Sequence, residues 1–163
     1  LYSIPSRCGI EIEVPTVARL RETHANVNHI KEAGGSCARV DQLRQRLGDS
    51  VTILSGDDSL TLPFMSVGAR GVISVASNVY PAQTQAMVQS FMRGEVDTAR
   101  SIHHQLTPLF KALFCEPNPV PVKTALHHLG LIQSPEVRRP LCAMSDGNRQ
   151  ILIDALDFAG TQT

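Results

Sequence analysis

Short apolar runs alternate with helical stripes through the first part of the chain, and the alternation stops soon after Asn78. Leu1 to Ile4 reads as a strand end, followed by a loop over Pro5-Ser6-Arg7-Cys8-Gly9 that proline and glycine punctuate. Pro15 opens a helix through Arg21, with Val17 and Leu20 on one face. Val27 to Ile30 is a short strand delivering Lys31, and Gly34-Gly35 break it. Arg39 to Leu47 is amphipathic, with Val40, Leu43 and Leu47 at helical spacing and Gly48 as its stop. The pattern then repeats. Val51 to Ser55 is a β-branched strand ending at Gly56-Asp57-Asp58, Leu60 to Val67 a helix, Gly71 to Val75 a further strand, and Pro81 to about Met92 a helix.

Beyond that point the pattern predicts helices only. Val96 to Leu113 carries Ala99, Ile102, Leu106, Leu109, Phe110 and Leu113 on one stripe, interrupted by Pro108. Pro117-Asn118-Pro119-Val120-Pro121 is an ordered connector, because proline leaves too few backbone donors for a helix or a central strand. Val122 to Leu129 resumes helix. Ser145 or Asp146 caps a last one, from about Asn148 to Phe158, that Gly160 ends.

Strands alternating with helices predict a parallel α/β sheet whose strands are buried on both faces. The three strand ends carry Lys31, Ser55-Gly56 and Ser74, the positions at which an α/β barrel collects its polar site residues. An open doubly wound sheet shares the alternation, but neither G-x-G-x-x-G nor a Walker-type loop follows any strand.

Composition changes this picture little. The 163 residues are 42% hydrophobic and 18% charged, ordinary for one globular domain with a sizeable core. Lys+Arg and Asp+Glu both number 15, so no excess charge argues for nucleic acid or an anionic membrane. Cys8, Cys37, Cys115 and Cys142 are too scattered for a metal or C-x-x-C pattern and read as mostly buried thiols of a reducing compartment. No apolar run reaches the roughly 20 residues that span a bilayer, and a cytoplasmic protein is expected. The opening Leu1-Tyr2-Ser3-Ile4-Pro5 is that of a piece of a longer chain.

The candidate chemistry centres on Lys31. A lysine delivered by a strand into a pocket becomes an amine nucleophile when removal from water disfavours its ammonium form. Taken singly, Lys31 and Arg7 read as surface charges and Tyr2 as a core or interface tyrosine. Asp57 and Asp58 open a helix after a strand and read as capping groups rather than metal ligands. The pairs His103-His104 and His127-His128 have no carboxylate or thiol at metal spacing and read as structural or solvated. Neither a metal nor a cofactor is called for.

Several stretches, taken in order, resemble one family. Tyr2-Ser3-Ile4-Pro5-Ser6-Arg7-Cys8-Gly9, Ile30-Lys31-Glu32-Ala33, Ser55-Gly56-Asp57-Asp58, Gly71 to Val75 and Glu116 to Lys123 are together similar to the dihydrodipicolinate synthases of the pyruvate-dependent class I aldolase superfamily. The resemblance implies the second half of a (β/α)8 TIM barrel, about strand 5 to helix 8 over residues 1–92, followed by a C-terminal helical extension over residues 93–163. It implies lysine biosynthesis through the diaminopimelate pathway: Lys31 forms a Schiff base with pyruvate, and the derived enamine adds to L-aspartate-4-semialdehyde. Tyr2 is then a proton relay, Arg7 binds the semialdehyde carboxylate, and Gly56 and Ile73 line the pyruvate pocket. A homo-oligomer is implied, commonly a tetramer built as a dimer of dimers.

The resemblance has departures. Ser3 stands where the family usually has Asn, Cys8 where Thr is common, and His29 where Gly precedes the Ile-Lys pair; one extra residue falls near Glu22 to Asn26. The family's paired threonines, the second tyrosine of the relay and most of the allosteric lysine site belong to the half not present, so this piece alone is expected to be inactive. Two other readings stay open. One is a related aldolase, such as an N-acetylneuraminate lyase or a keto-deoxy sugar acid aldolase; the other is a non-catalytic scaffold or regulatory subunit of the same fold.

Overall fold

A computed structural model describes residues 1–160, which fall into two compact units, Leu1–Ser74 and a second beginning at Val75. The first unit holds a parallel sheet in the order β1 (Tyr2–Ser3), β2 (His29–Glu32) and β3 (Thr52–Ser55). Between β1 and β2 lie α1 (Pro5–Cys8) and α2 (Val14–Thr23); between β2 and β3 lies α3 (Cys37–Leu47), and α4 (Thr61–Ser66) follows β3. Parallel neighbours need such crossovers; α2 packs on α3, α3 on α4, and α4 on β3. Ser36 caps α3 by accepting from the Arg39 N–H at 3.2 Å, and Gly48 ends it at φ +55°, a conformation natural to glycine.

In-register neighbours put Ser3, Ile30, Glu32, Ile53 and Ser55 on one face, and all five are buried. The other face carries Tyr2, His29, Lys31, Thr52 and Leu54, none of them buried. Within these residues the strands are covered on one face, and the uncovered one is what half of a barrel leaves. Crossover helices cover a single face here, and period-two alternation sends every second side chain to the open one.

Some local expectations are revised. Pro5 to Cys8 forms one helical turn instead of an open loop, because proline is tolerated at a helix start and Gly9 at φ +71° closes the turn back onto the Pro5 carbonyl. Gly71 to Val75 does not form a strand: only Ser55 and Val72 make a parallel bridge. Around that bridge the Ser55 N–H donates to the Gly71 carbonyl and the Ile73 N–H to the Ser55 carbonyl, each at 2.8 Å. Asp57 caps no helix; its carboxylate accepts from the Ser59 N–H at 2.9 Å and the Ser59 hydroxyl at 2.8 Å, closing the turn before α4. The cysteines are not mostly buried: Cys8, Cys115 and Cys142 are exposed and Cys37 is half-buried. Glu22 to Asn26, where one extra residue is expected, are exposed.

The second unit is helical: α5 (Pro81–Met92), α6 (Val96–Ala112), α7 (Val120–His128) and α8 (Asp146–Gly160). It begins at Val75, and α5 packs on α6 through a face with buried Thr84, Met87 and Ser90. The stripe of α6 buries Ala99, Leu106, Leu109 and Phe110. Pro108 does not interrupt the helix: it lies on the exposed side, where the carbonyl it leaves unpaired can be hydrated. Val120 and Pro121, expected in the connector, form the first turn of α7, where the missing proline N–H costs nothing. Ser145 turns its hydroxyl and its N–H to Glu116 Oε1, at 2.8 and 3.0 Å.

Candidate active site

Lys31, next to the last residue of β2, projects onto the open face of the sheet, flanked in register by Tyr2 of β1 and Leu54 of β3. Its Nζ lies 4.2 Å from the centroid of the Tyr2 ring. A cation is attracted to the face of a ring at this distance, so the pair is held by more than strand geometry. The strands meet through short bonds on both sides: Lys31 N–H to the Leu1 carbonyl and Ala33 N–H to the Ser3 carbonyl, each at 2.9 Å, and Gly56 N–H to the Glu32 carbonyl at 2.7 Å.

Gly56 closes the other side of Lys31. A Cβ at this position would stand 2.6 Å from Ala33 Cβ, 3.0 Å from Lys31 Cε and 3.2 Å from the Glu32 carbonyl oxygen, so only glycine lets the backbone lie against the lysine stem. Ile73 follows β3, its N–H donating to the Ser55 carbonyl at 2.8 Å, and its side chain is 45% exposed. Tyr2 is equally exposed at 45%. Arg7 is exposed on α1 and makes no ion pair among the described residues. The fold thus gathers Tyr2, Lys31 and Gly56 and sets Ile73 beside the end of β3, while Arg7 stands on α1. His29 is exposed on the same face, with Nδ1 2.6 Å from Asn28 Oδ1.

Behind Lys31, on the covered face, stands a charged cluster that the linear pattern did not single out. Glu32 is 0% exposed and Arg39, from the first turn of α3, only 6%. Arg39 Nε donates to Glu32 Oε2 at 2.8 Å and lies 3.2 Å from Glu11 Oε1. Its Nη2 donates to the Ile12 carbonyl and reaches Ser3 Oγ at 3.5 Å. Glu32 Oε1 accepts from the Gly34 N–H at 2.8 Å. A Cβ on Gly34 would come within 2.7 Å of Glu32 Oε1 and 2.9 Å of Glu11 Oε1, which explains the first of the two glycines after Lys31. The available signal was strand alternation: with Lys31 on one face, Glu32 must enter the helix-covered face and needs a buried cation.

Among the described residues no group of three or more His, Cys, Asp or Glu side chains is placed to hold a metal ion. No helix among them is long and apolar enough to cross a membrane.

Comparison with known proteins places this geometry. The model of the dihydrodipicolinate synthetase family matches residues 1–159. A 4-hydroxy-tetrahydrodipicolinate synthase from a Sulfurihydrogenibium species is 48% identical over 156 residues, covering 96% of this chain and 53% of the relative. The solved structure of that synthase from Methylacidiphilum fumariolicum superposes with a TM-score of 0.96 at 50% identity, over 99% of this chain and 54% of that one. A chloride-inhibited dihydrodipicolinate synthase from Acinetobacter baumannii, solved in complex with pyruvate, gives a TM-score of 0.92 at 35% identity, over 98% and 54%. The chain therefore spans about half the length of the relatives it matches.

Proposed function

Because the chain belongs to the dihydrodipicolinate synthetase family, we propose that it carries the Schiff-base lysine of a 4-hydroxy-tetrahydrodipicolinate synthase. The complete enzyme condenses pyruvate with L-aspartate-4-semialdehyde for lysine biosynthesis. The observation that carries this reading is the meeting of Lys31 Nζ with the Tyr2 ring and Gly56 on an open sheet face, inside a family match of nearly the whole chain. The neutral Lys31 amine attacks the keto carbon of pyruvate and water leaves, giving an iminium. That electron sink allows a methyl proton to be lost, and the enamine attacks the aldehyde carbon of the semialdehyde. Tyr2 relays protons in these steps, Arg7 binds the semialdehyde carboxylate through its planar fork, and Gly56 and Ile73 wall the pyruvate.

We assign the chain to the second half of the (β/α)8 barrel and its helical extension. The order of elements supports this: parallel strands with crossover helices come first and a purely helical unit follows, whereas a first-half piece would alternate to its end. The residues preceding Leu1 in the complete protein are then expected to carry four further strand and helix units. Finding those units after Thr163 instead would overturn the assignment. The missing half is also what would cover the open face of the sheet. The complete enzyme is read as a cytoplasmic homo-oligomer, a dimer of dimers.

The test is reductive trapping. The complete protein is incubated with pyruvate and borohydride and digested, and Lys31 should carry the reduced pyruvate adduct, lost in Lys31→Ala. The isolated chain should trap poorly. Absence of the adduct in the intact protein would favour a non-catalytic scaffold. Consumption of a sugar aldehyde with pyruvate, in place of the semialdehyde, would favour a related aldolase.

A further inference from the structure

β1 pairs with β2 through Tyr2↔Lys31 and Ser3↔Glu32, and the Leu1 and Ser3 carbonyls accept from the Lys31 and Ala33 N–H groups. A slip of one residue in this register would turn Tyr2 away from the face that carries Lys31. The opposite face ties the same two strands together. Arg39 reaches the Glu32 carboxylate directly behind Lys31, Ser3 Oγ directly behind Tyr2, and the Ile12 carbonyl and Glu11 carboxylate of the segment leading into α2. Glu32 in turn holds the Gly34 N–H, so the chain leaving β2 is tied to the same cluster. The planar guanidinium has donors spread across a fixed fork, which a lysine ammonium cannot reproduce.

We propose that Arg39, anchored by buried Glu32, is a positioning residue for the Lys31 amine: from the covered face it locks β1 to β2 so that Tyr2 and Lys31 meet on the open one. The role touches no substrate and acts through the two strands. It rests on the reading of Lys31 as the Schiff-base lysine, and the experiment separates the two.

In the complete protein, Arg39→Met and Arg39→Lys are compared with wild type in single-turnover pyruvate trapping at saturating pyruvate, with rates expressed per folded molecule. A displacement of the amine of order 1 Å lowers the rate by about tenfold to a hundredfold. The pyruvate concentration at half-saturation should change little, and Arg39→Lys should restore only part of the rate. A purely structural role would lower the yield of folded protein and leave the rate of the folded fraction intact. The second readout needs no activity: the Lys31 ε-methylene protons, lying over the Tyr2 ring, should show an upfield ring-current shift in wild type that both variants diminish. If Arg39→Met does not fold, Arg39→Lys carries both measurements. Wild-type rates together with an unchanged ring-current shift in a folded variant overturn the proposal. A wild-type protein that traps no pyruvate, yet loses the ring-current shift on substitution of Arg39, keeps the positioning role and removes the Schiff-base reading.

Discussion

Gly56→Ala is the sharpest test of how the site is packed. The new methyl would sit 2.6 Å from Ala33 Cβ, about 1 Å inside the separation at which two carbon atoms attract each other. Ala33 Cβ is fixed to the backbone and cannot swing aside, so β2 and the chain after β3 must part. That lengthens the 2.7 Å bond from the Gly56 N–H to the Glu32 carbonyl and pushes on Lys31 Cε, 3.0 Å from the same methyl. Overpacking of this kind costs about 1–3 kcal/mol, and a weakened buried hydrogen bond adds about 1 kcal/mol. The expected loss is therefore about 2–4 kcal/mol in denaturant unfolding monitored on the first unit. Adding Ala33→Gly removes the shortest of the contacts and should recover a substantial part of that loss, an interaction that independent sites would not show. A Gly56→Ala protein within about 0.5 kcal/mol of wild type, or a double variant no better than the single one, would refute the packing argument.

Three further outcomes follow from the second unit. Gly147, at the second position of α8, has open space where a methyl would go, so Gly147→Ala should be neutral or raise stability by up to about 1 kcal/mol, opposite in sign to Gly56→Ala. Hydrogen bonds from Asn148 and from the N–H and hydroxyl of Ser145 hold the Glu116 carboxyl below its ordinary range. Its stabilisation is thus present above the unfolded-state value and lost as pH falls through the lower folded-state value; Glu116→Gln should flatten that acid limb in a series of thermal melts. Burial, and then the neighbouring His104, lower the affinity of His103 for a proton. The unfolded chain binds that proton more readily, so stability falls as pH drops from the ordinary imidazole value toward the folded-state one. His103→Phe should remove this loss, and it deletes a buried Nδ1 that has no hydrogen-bond partner among the described residues.

Much of the architecture was legible because local rules and tertiary packing agree. Pro81 starts α5 where proline suits a first turn, Gly48 ends α3, and the α6 stripe is the buried one. Lys31 was legible as a residue at a strand end, and of the residues the ordered motifs marked with it, Tyr2 and Gly56 lie against it. The linear chain failed where an outcome depends on what lies alongside. Gly71 to Val75 has the composition of a strand, yet within it only Val72 bridges to β3, at its last residue Ser55. Pro108 has the composition of a break, yet it faces solvent and is tolerated.

From its residues alone the chain determined an α/β alternation giving way to helices and the place of a lysine at the end of a strand, since periodicity and punctuation are local properties. Only the tertiary structure decided which side chains take the covered face of the sheet and which the open one, and that Lys31 lies over the Tyr2 ring. It also decided that Gly56 must be glycine because Ala33 and Lys31 press on it, and that Glu32, beside Lys31 in sequence, turns away to a buried arginine. Those facts join residues from seven positions apart, as Glu32 and Arg39 are, to nearly thirty, as Tyr2 and Lys31 are, and the distance between them is set by strand register and helix packing.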